Sequence, residues 1–289
     1  MPIKEGDRTK WIMFETGPYS CYPILETSLK EKGIAIEDIT KVFVTHIHLD
    51  HSGGAWKLAE SGTDIYVHPI GAPFMVDPTK LVESASRIYG DQMETLWSMV
   101  KGIDKKKVFP VDDGKVYYFK DLEGNEFSVQ AHHNPGHASH HIAWQAGKIL
   151  FAGDVLGIRI DNCLVDVPCP PPDYHPELWL DSITKIQKLD LDEVVLTHFG
   201  SFTDIDHHID QLKNRMRKVM DWFRRQLKQS ITRNEVEKQF IDFIKQGYIQ
   251  NGMTEKDIEN YININPPFMT VMGVLRYLKK YEELTCSDI

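Results

Sequence analysis

Three imidazoles and one carboxylate fall within six consecutive positions of the chain, in the segment THIHLDHSGG at residues 45–54. The segment directly follows the apolar run Val42-Phe43-Val44, which predicts a buried strand. Isolated histidines are usually solvated or buried in a core, but clustering at the spacing of metal ligands is different. This density predicts a metal centre at the end of a strand.

The spacing within the segment separates two pairs of side chains. His46 and His48 are two positions apart, so on an extended backbone they face the same way and can bind one ion. Asp50 and His51 come after a turn, and we expect a helix to begin at Ser52-Gly53-Gly54. This second pair can therefore serve a second, nearby ion.

Further candidate ligands follow apolar runs elsewhere in the chain. The stretch NPGH follows a predicted strand, ILFAGD ends in a carboxylate, and VVLTH ends in an imidazole. The candidates are His137, Asp154 and His198. Strand ends are where sites assemble in α/β proteins, and rigid strands hold ligands more accurately than free loops. Gly153 leaves room for a close approach beside Asp154.

Composition limits the partners of the chain. Its 289 residues include 33 Lys and Arg against 42 Asp and Glu, giving a formal net charge of -9 that repels nucleic acid and anionic membranes. The four cysteines lie far apart without a CxxC pair, which favours reduced thiols. The polar start and the lack of an apolar stretch of roughly 18 residues predict a soluble, cytoplasmic protein without a membrane partner.

Apolar patterns predict two regions. In residues 1–202, four short apolar runs alternate with helical patterns, which indicates an α/β core. In residues 203–289, apolar residues recur three and four positions apart, starting with a long amphipathic helix, which indicates a helical appendage. The predicted domains are therefore a catalytic domain at 1–202 and a helical C-terminal extension at 203–289.

The order of these motifs over residues 15–200 resembles the metallo-β-lactamase superfamily: HxHxDH, then PGH, then GD, then a histidine after the last strand. The resemblance implies a four-layer αββα sandwich, here with the helical appendage added. It also implies a role for each candidate ligand. His46, His48 and His137 would bind the first metal, Asp50, His51 and His198 the second, and Asp154 would bridge the two.

The ligand types favour two Zn²⁺ ions, because imidazole and carboxylate without thiolate suit zinc, while iron and manganese stay open. Diiron relatives with redox chemistry carry Glu at the second histidine of the motif, where this chain has His48. We therefore expect a hydrolase in which a hydroxide shared by the two metals is the nucleophile. Asp50 would orient that hydroxide and take its proton, as the catalytic residue beyond its role as a ligand.

The substrate is less defined by the sequence. Acyl-homoserine lactonases carry a tyrosine where this chain has Gly157, and glyoxalase II carries a lysine and a tyrosine on a loop whose one cation here is Arg159. A small ester, thioester or lactone is the preferred substrate. An endoribonuclease or phosphodiesterase that binds RNA through the C-terminal helices is the alternative, although the net charge disfavours nucleic acid. A third alternative is a non-catalytic metal-binding protein on the same fold.

The segment 69–107 adds a candidate wall for an apolar pocket. It carries the side chains Phe74, Met75, Tyr89, Met93 and Trp97. These residues either line a substrate pocket or pack against the sheet or a partner in a homodimer, and both interpretations stay open.

Overall fold

The computed structural model of the protein describes residues 1–287. The strands are β1 (Pro2–Glu5), β2 (Arg8–Phe14), β3 (Ile39–Phe43), β4 (Asp64–Val67), β5 (Val108–Pro110), β6 (Val116–Lys120), β7 (Glu126–His133), β8 (Ile142–Ala146), β9 (Ile149–Gly153), β10 (Glu193–Leu196) and β11 (Gly200–Phe202). The helices are α1 (Tyr22–Glu31), α2 (Leu49–Ser52), α3 (Ala55–Glu60), α4 (Ala72–Val76), α5 (Thr79–Tyr89), α6 (Met93–Leu96), α7 (Pro176–Ile186), α8 (Ile205–Gln226), α9 (Arg233–Gln250), α10 (Glu255–Ile264) and α11 (Pro267–Tyr281).

The chain forms two compact units, and neither is continuous in sequence. The first unit contains Met1–His133 and His140–Ala152, and the second contains Asn134–Ser139 and the chain from Gly153 onward. The division at residues 202 and 203 was inferred from the change from strands to helices, and it stays a prediction.

The first unit contains a five-stranded sheet in the order β1-β2-β3-β4-β5. β1 and β2 form an antiparallel hairpin, while β2 to β5 run parallel. Side chains of β3 alternate between the two faces, as the period of a strand requires. Val42 packs towards Trp56, Leu58 and Met75 of the helices, whereas Phe43 packs on the opposite face.

That opposite face is covered by a second set of strands in the same unit. β6, β7, β8 and β9 pair antiparallel in sequence order, and β6 and β7 form a hairpin around Gly124-Asn125. Val129, Ile142 and Trp144 from these strands pack against Phe43, and the Trp144 indole donates to the carbonyl of Val44 at 3.1 Å. The first unit is therefore a helix layer, a sheet and a second sheet around two apolar interfaces.

The second unit is mainly helical. It contains α7, then the antiparallel hairpin of β10 and β11, then α8 to α11. Helix α8 confirms the predicted amphipathic pattern, because its stripe of Leu212, Met216, Val219 and Phe223 is buried. Helices α9 and α10 each begin with a capping box, in which a threonine and an acidic residue three positions later satisfy each other's backbone N–H groups.

The predicted α/β fold with two sheets and C-terminal helices is confirmed. Among the helices within residues 1–287, none combines the length and apolar character that a membrane crossing demands.

Candidate metal centre

The first unit carries four of the seven predicted ligands, two in the loop after β3 and two in α2. His48 is extended (φ -60°, ψ 149°) and precedes α2, which begins at Leu49. Asp50 and His51 lie in the first turn of this short helix, which the sequence did not predict, and the next helix, α3, begins at Ala55, directly after the expected start at Ser52-Gly53-Gly54. Gly53 serves close packing instead, since a Cβ there would meet the carbonyl oxygen of Leu49 at 2.4 Å.

These four side chains face one another as metal ligands do. Nε2 of His46 lies 2.8 Å from Nδ1 of His48, and Nε2 of His51 lies 3.4 Å from a carboxylate oxygen of Asp50. Ligand atoms bonded to one zinc ion at about 2.0–2.1 Å, in tetrahedral geometry, lie roughly 3.4 Å apart. His46 and His51 are fully buried, whereas the Asp50 side chain is 33% exposed and can reach a bound reactant.

Glu15 holds this half of the set in place. One of its carboxylate oxygens accepts from the backbone N–H of Thr45 at 2.7 Å, and the other lies 3.1 Å from Nδ1 of His51. A carboxylate keeps the proton on Nδ1, which leaves the lone pair of Nε2 for a metal. Glu15 has a φ of 64°, an uncommon conformation for a residue with a side chain.

The second unit carries the other three predicted ligands. One carboxylate oxygen of Asp154, Oδ2, lies 3.4 Å from Nε2 of His137, and the other, Oδ1, lies 3.5 Å from Nε2 of His198. Both distances match the edge of a zinc tetrahedron. Because each oxygen faces a different histidine, Asp154 has the geometry of a carboxylate that bridges two ions.

His137 is oriented from its other ring nitrogen. Nδ1 lies 3.0 Å from the carbonyl oxygen of Pro168, and a carbonyl can only accept, so Nδ1 carries the proton. The glycine of the PGH stretch is required for steric reasons. Gly136 has a φ of 136°, and a Cβ there would lie 2.3 Å from Cα of Trp179.

The side chains present fit a metal. Each of the seven predicted ligands is a side chain that could hold an ion, all offer nitrogen or oxygen, and none is a thiolate. Two histidines, His51 and His137, have Nδ1 held by an oxygen and Nε2 directed at a carboxylate, which is the arrangement of zinc ligands. Their role as ligands, and that of Asp50 in catalysis, stay predictions.

The apolar side chains of the segment 69–107 differ in their surroundings. Met75 is buried in the helix-side core and Phe74 packs against it, and both side chains also line a small cavity beside Trp56. Tyr89 and Trp97 are half-buried, with ring centroids 5.1 Å apart. Burial, and to a smaller extent the charge of Asp50, raises the pKa of Tyr89.

Comparison with known sequences gives the family of this chain. The sequence profile of the metallo-β-lactamase superfamily matches residues 3–198. The chain belongs to the metallo-β-lactamase superfamily. That superfamily consists largely of metal-dependent hydrolases, so the coarse prediction of a hydrolase is confirmed. A metallo-β-lactamase fold-containing protein of Sulfurisphaera tokodaii is 26% identical over 188 residues, covering 61% of this chain and 67% of that protein.

Two other similar proteins extend the comparison. A probable RNase of Methanocaldococcus jannaschii is 29% identical over 141 residues, which are 46% of this chain and only 30% of that protein. A metallo-β-lactamase family protein of Thermus thermophilus has a solved structure with a TM-score of 0.67 at 19% identity, covering 97% of this chain and 88% of that one. At this identity the structural match supports the fold alone.

Proposed function

We propose that the chain is a dinuclear zinc hydrolase of a small ester, thioester or lactone. The observation that carries the proposal is the carboxylate of Asp154, whose two oxygens each face a separate histidine at 3.4 and 3.5 Å. A single ion needs three or four protein ligands, and the chain offers seven. In the proposed centre, His46, His48 and His137 would hold a first ion, Asp50, His51 and His198 would hold a second, and Asp154 would contribute to both.

The bound ions supply Lewis acidity and a water of lowered pKa, so that a nucleophile is available near neutral pH. The protein side chains do the remaining work. Asp50 lies in the first turn of α2 with a partly exposed side chain, and it orients the attacking water and accepts its proton. A new bond forms to the carbonyl carbon, the bond to the leaving oxygen or sulfur breaks, and the proton passes to the leaving group.

The preference for a small carbonyl substrate over RNA rests on charge. Helix α8 carries a basic run, Arg215, Arg217, Lys218, Arg224 and Arg225, that could contact RNA. Arg215 of that run is buried, with Nε donating to Asp166 at 2.9 Å, and Arg224 forms a two-pronged pair with Glu282 at 2.6–3.2 Å. Neither guanidinium is therefore available to a phosphate backbone. The net charge of -9 acts in the same direction.

The half-buried Tyr89 and Trp97 support the same preference. A half-buried aromatic pair suits an apolar acyl or lactone group. RNA hydrolysis stays the second candidate because one similar protein is a probable RNase, matched over a minor part of its length.

A substrate panel with metal analysis tests the proposal. Protein loaded with zinc, iron or manganese and then desalted is analysed for metal and assayed on aryl esters, thioesters, lactones, phosphodiesters and RNA. We expect about two ions per chain and turnover of a carbonyl substrate. Asp50→Ala should lower this turnover by about 10²–10⁴ at matched metal loading, whereas the exposed Asp91→Ala should not.

Salt and the aromatic pair separate the two candidate substrates. Hydrolysis of a carbonyl substrate should fall on Trp97→Ala and respond weakly to salt. RNA cleavage that weakens steeply with salt, together with no carbonyl turnover, would replace the ester proposal by the nuclease one. Metal binding without turnover of any substrate in the panel would favour the non-catalytic alternative.

A further inference from the structure

The loop that follows β9 in the second unit, residues 158–170, is held by all four C-terminal helices. From α10, the Tyr261 hydroxyl accepts from the N–H of Ile160 at 2.9 Å and donates to the carbonyl of Leu164 at 2.8 Å. From α8, the side-chain carbonyl of Gln211 accepts from the N–H of Val165 at 3.2 Å. These contacts fix the backbone of the loop rather than its side chains.

Asp166 is the central anchor of this loop. It is buried, and it accepts three hydrogen bonds from three elements of the helical region. Arg215 of α8 donates at 2.9 Å, Tyr248 of α9 at 2.8 Å, and Asn265, the residue after α10, at 2.8 Å. A buried carboxylate is stable only when its oxygens are satisfied in this way, so the three helices and the loop form one connected polar network.

Two further contacts hold the loop next to Pro168. The amide of Asn265 also lies 3.2 Å from the carbonyl oxygen of Val167. Gly273 of helix α11 packs directly on the backbone of Cys169. A Cβ on Gly273 would lie only 2.0 Å from the carbonyl oxygen of Cys169. The residues on either side of Pro168 are therefore held, one by a hydrogen bond and one by direct backbone packing.

Pro168 is the residue whose carbonyl oxygen lies 3.0 Å from Nδ1 of His137. We propose that the C-terminal helices position this predicted metal ligand through the 158–170 loop. The loop presents the Pro168 carbonyl at a fixed place, the carbonyl fixes the tautomer and rotation of the His137 ring, and Nε2 is thereby aimed at Asp154. The residues Asn265 and Gly273 act as positioning residues and touch no reactant.

The inference rests on the proposed function where it concerns metal, but it makes a prediction for the metal-free protein as well. A shift of the loop by a fraction of an ångström lengthens the bond from Nδ1 of His137 and lets the ring change tautomer. Loss of the group that accepts a hydrogen bond from a metal-binding histidine typically weakens metal affinity 10–100-fold.

The test uses two variants of the full chain and one matched control. Asn265→Ala removes the hydrogen bonds to Asp166 and Val167, and Gly273→Ala pushes the carbonyl of Cys169. Thr232→Ala removes the capping box of α9 and destabilises the same helices without touching the loop. Each protein is compared for zinc affinity by competition with a chromophoric chelator, and for thermal stability without metal.

The decisive readout without metal is ¹⁵N NMR of His137, in which a protonated Nδ1 and an unprotonated Nε2 have distinct signals. We expect the wild type and Thr232→Ala to show the Nδ1–H tautomer. Asn265→Ala and Gly273→Ala should show a tautomer mixture and bind the first zinc ion 10–100-fold more weakly. If one variant does not fold, the other carries the comparison.

Two outcomes are distinguishable. If both variants keep the wild-type tautomer and bind zinc as tightly as Thr232→Ala, the positioning role is wrong, whatever the enzyme hydrolyses. If the wild type binds no metal, the proposed function fails, and the tautomer comparison still decides whether the helices orient His137.

Discussion

The two halves of the predicted ligand set are built in opposite ways. The half in the first unit comes from residues 46–51, which a strand end, one helical turn and the adjacent residues Glu15 and Thr16 hold in place. The half in the second unit comes from three residues spread from 137 to 198, and one of them depends on a loop that four helices hold. A compact motif needs few supports, whereas a dispersed one needs a large part of the fold.

The largest effect should come from the dispersed half. Asp154→Ala removes the carboxylate that faces both His137 and His198, so we expect metal content to fall from about two ions to below one. Turnover should fall at least a thousandfold, equivalent to about 4 kcal/mol of barrier. Elemental analysis and the ester assay check this, with the exposed Asp181→Ala on α7 as control. Retention of two ions would remove Asp154 as a bridge.

The free energy of unfolding should depend strongly on the Asp166 network of the second unit. Arg215→Met leaves the buried Asp166 carboxylate without its cation, which we expect to cost about 3–5 kcal/mol in the free energy of unfolding. Arg217→Met, on the exposed side of the same helix, should change stability by less than about 0.5 kcal/mol. Urea denaturation of the metal-free proteins measures both. Equal stability of the two variants would show that the Asp166 network contributes little to the second unit.

The ligands at residues 46–51 should lose zinc affinity when Glu15 alone is changed. In Glu15→Gln the side-chain oxygen can still accept from Thr45, but the amide nitrogen cannot accept from Nδ1 of His51. Zinc affinity should therefore fall 10–100-fold with little change in stability. Chelator competition provides the measurement, and Glu5→Gln on β1 is the control. A drop in stability as large as the loss of affinity would mean that Glu15 supports the fold rather than the ligand.

The smallest effect concerns a histidine of the first unit outside the ligand set. Burial, with smaller contributions from His133 and His140, lowers the pKa of His68 from 6.5 to about 4. Nδ1 of His68 accepts from the N–H of Ile70 at 3.1 Å, which the neutral ring allows. Between these pKa values the unfolded chain binds more protons, so stability rises with pH across about pH 4–6.5 and is lost as the pH falls.

Replacement of this ring should flatten that dependence. In His68→Asn the amide oxygen can still accept from Ile70, but no group titrates. Its stability should vary less with pH than that of the wild type, by at most about 1.4 kcal/mol per pH unit. Urea midpoints of the metal-free proteins from pH 4.5 to 6.5 check this. Parallel curves for the two proteins would exclude His68 as the source.

The sequence predicted the parts of the fold that have a local pattern. Periodicity predicted the strands β3, β4, β9 and β10 and the C-terminal helices, because each buries one or two faces with a regular repeat. It missed short strands such as β1 and β11, because β1 buries only Ile3 and β11 buries no residue, so neither shows an apolar run. It also missed the short helix α2, which follows the extended His48.

For the candidate site, the sequence named side chains but not their supports. The seven ligands are visible as residue types at the ends of apolar runs. Glu15 and Pro168 are not, since the first acts from a neighbouring strand and the second through a backbone carbonyl that any residue would offer. Contacts between distant segments carry this information, and no spacing in the sequence encodes it.

The interleaving of the two units sets the order in which their parts become available during synthesis. The chain passes between units after His133, Ser139 and Ala152, so the segment that carries His137 belongs with residues made later. Helix α11 begins at Pro267, which is 267 minus 137, or 130, residues further along. At roughly 5–20 residues per second, that separation is about 6–26 seconds of translation. Throughout that interval the nascent chain contains the ligand but not yet the helix that packs against its supporting loop.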